Sequence, residues 1–376
     1  MKKKVFVLLL AFVMIFSLTA CGGDSSAPAT GGDAPAAGGD APAAGGDAPA
    51  ATSDEKFNIV ISYYSSESIP PGQAIVEAAK WCEEQSNGRL TFETYFSGTY
   101  VSKGDTMAAL KTGQIDMAPI EATQIASVAV LNQIFNILIQ SNVPDRAKAQ
   151  EIYVKMIEEI PELNEELIKG ADSFWLYPYV LGGYNWHGTT PIKTFDDIKG
   201  KKVEAHAQLG EFMNTIGATA VELDSGDYYN GLKLGTVDAQ LTHWAVVKNS
   251  QLNEVVNTHT LFGESELASG LNLPAMGYAM NKTKWDSMPQ DLQDILKEGF
   301  KTAAHFVIDS DTKNYDDAVK DAQERGHEFN FIKGDDRKPW ADAMQPILDK
   351  WFADCEAAGY DGKGVYDKMM QMFEAA

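Results

Sequence analysis

The chain has 376 residues and a formal net charge of -22, from 53 acidic and 31 basic side chains. A surface that acidic argues against nucleic acid and anionic lipid surfaces as partners, while a pocket remains free to differ from the average. Of three cysteines, Cys21 lies near the start, and Cys82 and Cys355 could either pair in an oxidising compartment or sit buried as free thiols.

Met1 to Ala20 reads as a targeting segment: Lys2-Lys3-Lys4, an apolar run from Val5 to Ser17, then small residues before Cys21. The run is shorter than the ~20 residues a membrane-spanning helix needs. Its Leu-x-Ala-Cys ending resembles the bacterial lipoprotein signal, which implies cleavage before Cys21 and lipidation of its thiol. Residues 21–54 follow as a disordered linker in which Gly-Gly-Asp-Ala-Pro-Ala-Ala recurs three times, from Gly31, Gly38 and Gly45. A stretch without aromatic or large aliphatic residues cannot bury enough surface to order itself.

Glu55 to Ala376 is long enough for two lobes. Phe57 to Ser62 reads as a strand and Gly72 to Gln85 as a helix stopped by Asn87-Gly88. A strand at Leu90 to Phe96, a helix at Thr106 to Lys111 and a strand at Gln114 to Pro119 complete the unit. In open α/β sheets ligands bind beyond the carboxyl ends of the strands, which places Tyr63, Tyr64 and Glu121 at a cleft. Val128 to Ile139 is expected to be a buried helical connection. Arg146 to Lys169 is expected to form an amphipathic scaffold broken at Pro161.

Phe174 to Trp186 alternates aromatic residues as a strand does, and Gly182-Gly183 marks a crossing between lobes. Trp186 and His187 follow it as pocket candidates. From Lys202 to Leu241 the strand–helix–strand–helix–strand pattern returns. Leu232-Lys233-Leu234-Gly235-Thr236-Val237-Asp238 nearly repeats Leu110-Lys111-Thr112-Gly113-Gln114-Ile115-Asp116. Two such units imply two similar α/β lobes facing each other across a cleft. The expected division is 55–180 plus about 265–312 for one lobe and 181–264 plus about 313–376 for the other. Helices at Gln290 to Val307, Ala341 to Phe352 and Val365 to Phe373 complete the tail.

No Gly-x-Ser-x-Gly elbow, Gly-x-x-x-x-Gly-Lys loop or Gly-x-Gly-x-x-Gly turn is present, so no enzyme class and no cofactor is indicated. His187, His206 and His243 with Glu204 and Asp227 lack tight metal-ligand spacing, and no metal is expected. Asp224 and Asp227 as a hydrolytic acid pair are better explained by the abundance of acids.

The phrases Pro191-Ile-Lys-Thr-x-Asp-Asp-Ile-Lys-Gly-Lys-Lys-Val203, Gly217-Ala-Thr-Ala-Val-Glu-Leu223 and Tyr229-x-Gly-Leu-Lys-x-Gly-x-Val-Asp238 resemble the solute-binding proteins of TRAP transporters, dicarboxylate-binding type. Trp285-Asp286-Ser287-Met288-Pro289 is similar to that family's Trp-x-x-Leu-Pro helix start. The resemblance runs from Phe57 to about Gln345. It implies a type II periplasmic-binding fold, closure on a small organic ligand, and delivery to a membrane permease driven by an ion gradient rather than ATP. In the family, the strand after Lys-Gly-x-Lys ends on an arginine that clamps the ligand carboxylate as a bidentate fork. Here that position is Glu204.

A glutamate there disfavours a simple dicarboxylate and favours a neutral or cationic ligand, aromatic ones included, with Trp186, Trp244 and Tyr63 offering ring faces. The other reading has Glu204 turned away and an acid held by Lys201, Lys202, His206 or His243. The candidate ligand-binding set is Tyr63, Tyr64, Glu121, Trp186, His187, Glu204, His206, Asp227, Tyr228, Thr242, His243 and Trp244. A lipid anchor at Cys21 and TRAP permease subunits are the other expected partners; a lipoprotein enzyme or a ligand sensor for a membrane receptor is the competing class.

Overall fold

A computed structural model describes residues 54–140, 146–266 and 270–375. The leader, Cys21 and nearly all of the repeat-bearing linker lie outside them. Residues 53–376 form one compact unit, and no described helix is long and apolar enough to cross a membrane.

The strands in chain order are β1 (Phe57–Ser62), β2 (Leu90–Tyr95), β3 (Met117–Glu121), β4 (Ser173–Val180), β5 (Asn185–Gly188), β6 (Lys202–Glu204), β7 (Thr219–Val221), β8 (Ala239–Thr242), β9 (Thr258–Leu261), β10 (Ala275–Asn281) and β11 (Glu328–Phe331). One sheet has the order β2-β1-β3-β10-β4 and the other β11-β9-β5-β8-β6-β7. β1, β2 and β3 run parallel, as do β6, β7 and β8, while β10 and β5 enter antiparallel. The structure is thus α/β, in two lobes with mixed sheets.

The repeated phrase folds the same way twice. Gly113 and Gly235 both end a helix with positive φ, 68° and 70°, the left-handed stop that glycine adopts without steric cost. Asp116 then bonds back to Val60 N at 2.8 Å, and Asp238 to Lys202 N at 2.8 Å, each tying the incoming strand to its neighbour.

The chain passes from the first sheet to the second after β4, returns after β9, and leaves again through the helix Gln290–Glu324 into β11. That helix has 35 residues, far beyond the expected stop at Val307. The two extended crossings bond to each other: Leu181 N to Pro274 O at 2.9 Å and Tyr184 N to Asn272 O at 3.1 Å. Gly270 must be glycine, because a Cβ would stand 2.2 Å from Tyr184 O. Arg337 gathers the carbonyls of Ile139, Gly270 and Phe262 beside the crossings.

Two expectations are corrected and one open alternative is closed. Val128 to Ile139 forms only a 3₁₀ turn, Leu131–Asn136, whose first two N–H groups are taken by the buried Glu166 carboxylate at 2.9 and 3.0 Å. The tail does not stay with the second lobe. Trp340 and Met344 pack under the second sheet, whereas Trp351, Cys355, Tyr366, Met369 and Phe373 join the core of the first. Cys82 and Cys355 are both free and buried, so the pairing alternative falls; burial pushes each thiol up to about 12.

Candidate ligand-binding site

The parallel strands of each sheet bring their carboxyl ends together, and the site is built there. From the first lobe, β1 runs into Tyr63 and Tyr64, and β3 ends on Glu121. The Tyr64 hydroxyl donates to Glu121 Oε1, Thr123 Oγ1 donates to Oε2 at 3.2 Å, and Lys103 Nζ reaches the same Oε2 at 3.0 Å. The Lys103 ammonium also lies 4.7 Å from the centre of the Tyr64 ring, which Tyr63 meets edge-on at 5.1 Å. Burial and then the Glu121 charge hold the Tyr64 phenol far above its ordinary value.

From the second lobe, β6 ends on Glu204, which is 2% exposed. His206 Nε2 stands 2.5 Å from Glu204 Oε1, yet that oxygen has no hydrogen bond of acceptable geometry. The contact is close enough that the Glu204 carboxylate raises the imidazole pKa against the opposing effect of burial. Ala207, the next residue, holds φ at 50°, a left-handed conformation that costs energy in a non-glycine residue. An open depression of about 520 Å³, lined by Ala205, Glu211, Asn214 and Glu222, adjoins His206.

The β8 end supplies Thr242 and His243. His243 is 6% exposed; its Nδ1 meets the Tyr315 hydroxyl at 2.8 Å and its ring stacks on Tyr184 at 5.7 Å. Burial, with the Arg146 charge adding to it, lowers His243 to about 3, so it is a neutral imidazole. Arg146 lies 5.1 Å from the centre of the Tyr315 ring and pairs with Asp311 at 3.0 Å while donating to the Val180 carbonyl.

The two halves face one space. The Tyr184 and Tyr228 phenols, raised first by burial, both feel Glu121 from the first lobe and Glu204 from the second. Lys103 likewise acts across the cleft on His206.

The structure therefore brings Tyr63, Tyr64, Glu121, Glu204, His206, Tyr228 and His243 toward one cleft, with Thr242 buried beneath it. Asp227 is exposed on the 3₁₀ turn before Tyr228. Trp186, His187 and Trp244 are corrections, because none presents a face to a ligand. Trp186 is fully buried under the second sheet with Nε1 on Thr190 O at 2.9 Å. Trp244 donates to Glu266 O at 2.7 Å and packs its ring on His187 at 4.5 Å. His187 joins His259 at 2.8 Å, and His259 joins His327 at 3.0 Å, in a row of imidazoles inside the second lobe. Lys202 starts β6, at the end of the strand remote from Glu204, and its N–H binds Asp238. Among the described residues no group of three His, Cys, Asp or Glu side chains is placed to hold a metal.

Sequence reasoning missed Lys103, Tyr184 and Gln240. Gln240 sits between Ala239 and Leu241 in β8, a polar residue in an apolar strand, and it stands opposite Glu204 in the β6–β8 register. Nor does any arginine take the place that Glu204 vacates. The chain has four: Arg89 pairs with Asp291, Arg325 with Asp321, Arg146 with Asp311, and Arg337 with three carbonyls.

The family model described as bacterial extracellular solute-binding protein, family 7, matches residues 61–354. A curated solute-binding protein of Chromohalobacter salexigens is 21% identical over 291 residues, 76% of this chain and 81% of that one. Among solved structures, a TRAP periplasmic solute-binding protein of the same organism with bound D-glucuronate superposes with a TM-score of 0.69 at 17% identity, covering 84% of this chain and 99% of that chain. One from Desulfovibrio salexigens with bound orotic acid gives 0.70 at 21% identity, covering 85% and 99%.

Proposed function

The chain belongs to the family 7 bacterial extracellular solute-binding proteins, which bind and do not catalyse, and from that premise we propose how this member works. It captures a small organic molecule between the carboxyl ends of its two sheets, closes on it, and delivers it to an ion-gradient-driven TRAP permease. Lipidated Cys21 anchors it to the outer face of the cell membrane, and the linker gives the binding unit reach. Two extended crossings between the lobes and a 35-residue helix shared by both are the hinge that closure needs.

The observation that carries the ligand reading is Glu204 at the position where the family's strand ends on an arginine. Glucuronate and orotate, bound by the structural neighbours, are carboxylates. Here a carboxylate would face a buried glutamate, with all four arginines engaged elsewhere. Like charges that close in a dry cleft cost several kcal/mol. The ligand is accordingly neutral or cationic. A second reading, supported by the acidic ligands of those neighbours, has an organic carboxylate met by Lys103 and protonated His206 at the rim; both side chains are nearly half exposed, at 48% and 44%.

Thermal unfolding of residues 53–376 against organic acids, amines, aromatic compounds and neutral sugars tests the reading. A ligand at 100 times its Kd should add about 2.7 kcal/mol to stability. A shift with amines or neutral compounds, lost in Glu204→Gln, supports it. A shift with carboxylates alone sends the protein to the second reading.

A further inference from the structure

If the cleft captures a solute as proposed, two buried oxygens name its chemistry. β6 and β8 pair in parallel with Glu204 opposite Gln240, so the two side chains lie on the same face of the sheet. Each residue is 2% exposed; among the described residues Gln240 Oε1 is enclosed without a hydrogen-bond partner, while Glu204 Oε1 meets the part-exposed His206 imidazole at 2.5 Å. Buried acceptors are almost always met by a donor, and an unmet one is costly. An unmet acceptor beside a carboxylate held by a part-exposed imidazole forms a seat for a group with several N–H donors and a positive charge. His206 is a poor permanent occupant. It is 44% exposed and has a second acid, Glu222, 3.9 Å from its other nitrogen.

Across the cleft stands Glu121, held by Tyr64 and by Lys103, which is 48% exposed and free to swing away. With a cation between them, the two carboxylates no longer repel and closing the lobes becomes attractive.

We infer that the solute is an organic cation whose ammonium or guanidinium end seats on Glu204 Oε1 and Gln240 Oε1, while Glu121 closes on it from the opposite lobe. Gln240 is thereby a specificity-determining residue, and His206 and Lys103 are the side chains the solute displaces. This assignment rests on the capture reading above and narrows it.

Titration calorimetry on the full chain with 1,4-diaminobutane and with 4-aminobutylguanidine tests it. Saturable binding of at least one probe is expected, weakened about tenfold or more in Glu204→Gln, an isosteric change that loses a charge-assisted bond. Gln240→Leu should weaken it several-fold, and Glu356→Gln, at an exposed acid on the tail helix Lys338–Ala357, less than twofold. Wild-type binding is decisive even if a variant folds poorly, since neither probe binding saturably overturns the assignment. Glucuronate binding equally well to wild type and Glu204→Gln would also overturn it, yet leave solute capture standing. If no member of the broader panel binds, capture fails too.

Discussion

Two carboxylates in this protein are equally hidden from water and differently treated. Glu166, 4% exposed, takes the N–H groups of Leu131 and Asn132 and the Asn132 side-chain amide, at 2.9, 3.0 and 2.9 Å. Its charge is spread over three donors, two of which would otherwise be orphans at the start of a helical turn. Glu204, 2% exposed, has among the described residues a part-exposed imidazole as its ion contact and no backbone N–H donor. A buried charge supplied with donors by the fold is part of the scaffold; the one left with a part-exposed imidazole is, in our proposal, the seat of the solute.

The contrast can be broken at several points. The largest effect belongs to Glu166→Ala, which strands three donors at once and should cost about 4 kcal/mol, read from urea unfolding at pH 7. A loss below about 1 kcal/mol would mean that Glu166 is not structural and would remove the contrast.

Acid comes next. His187 and His243 are both lowered to about 3, His187 by burial and His243 by burial with Arg146 adding to it. The unfolded chain binds protons there near pH 6.5 while the folded chain does not, so their contribution is complete above that pH and is lost as pH falls toward 3. Each should withdraw about 2 kcal/mol between pH 7 and 5. Urea midpoints that stay flat over that window would contradict the buried neutral assignment.

Tyr315→Phe removes the hydroxyl partner of His243 and should cost about 1 kcal/mol. Gly182→Ala attacks the same contact from the other side, because its Cβ would fall 1.7 Å from the Tyr315 hydroxyl. Smallest of all, Glu204→Gln should change unliganded stability by less than about 1 kcal/mol in either direction, although it lies as deep as Glu166. A large destabilisation would place Glu204 with the scaffold.

Much of the frame was legible because it rests on short-range punctuation. The phrases ending at Asp116 and Asp238 carry a glycine stop and an aspartate that reaches back one strand, and that local chemistry appears in the residues themselves. The returning strands β9 and β10 were not legible: β9 has four residues, and pairing that antiparallel element depends on partners far along the chain. Val128 to Ile139 misled because its apolar run looks helical, while the side chain that shapes the turn, Glu166, lies some thirty residues away.

In the candidate site, the strand-end rule anticipated that Tyr63, Tyr64 and Glu121 follow or end strands, and the departure from the arginine pattern drew attention to Glu204, which ends β6. Trp186 and Trp244 misled because rings near a turn serve a core as readily as a pocket, and their indole N–H groups are satisfied by backbone carbonyls. Gln240 carried no motif at all; only its register against Glu204 reveals it.

The most direct test is to load the protein from a cell metabolite extract, wash it, denature it and identify the retained solute by mass spectrometry. Retention of a compound with a basic nitrogen by wild type, and its absence from Glu204→Gln, is the predicted result. A uronate or dicarboxylate retained equally by both would contradict the account and return this cleft to an acidic ligand.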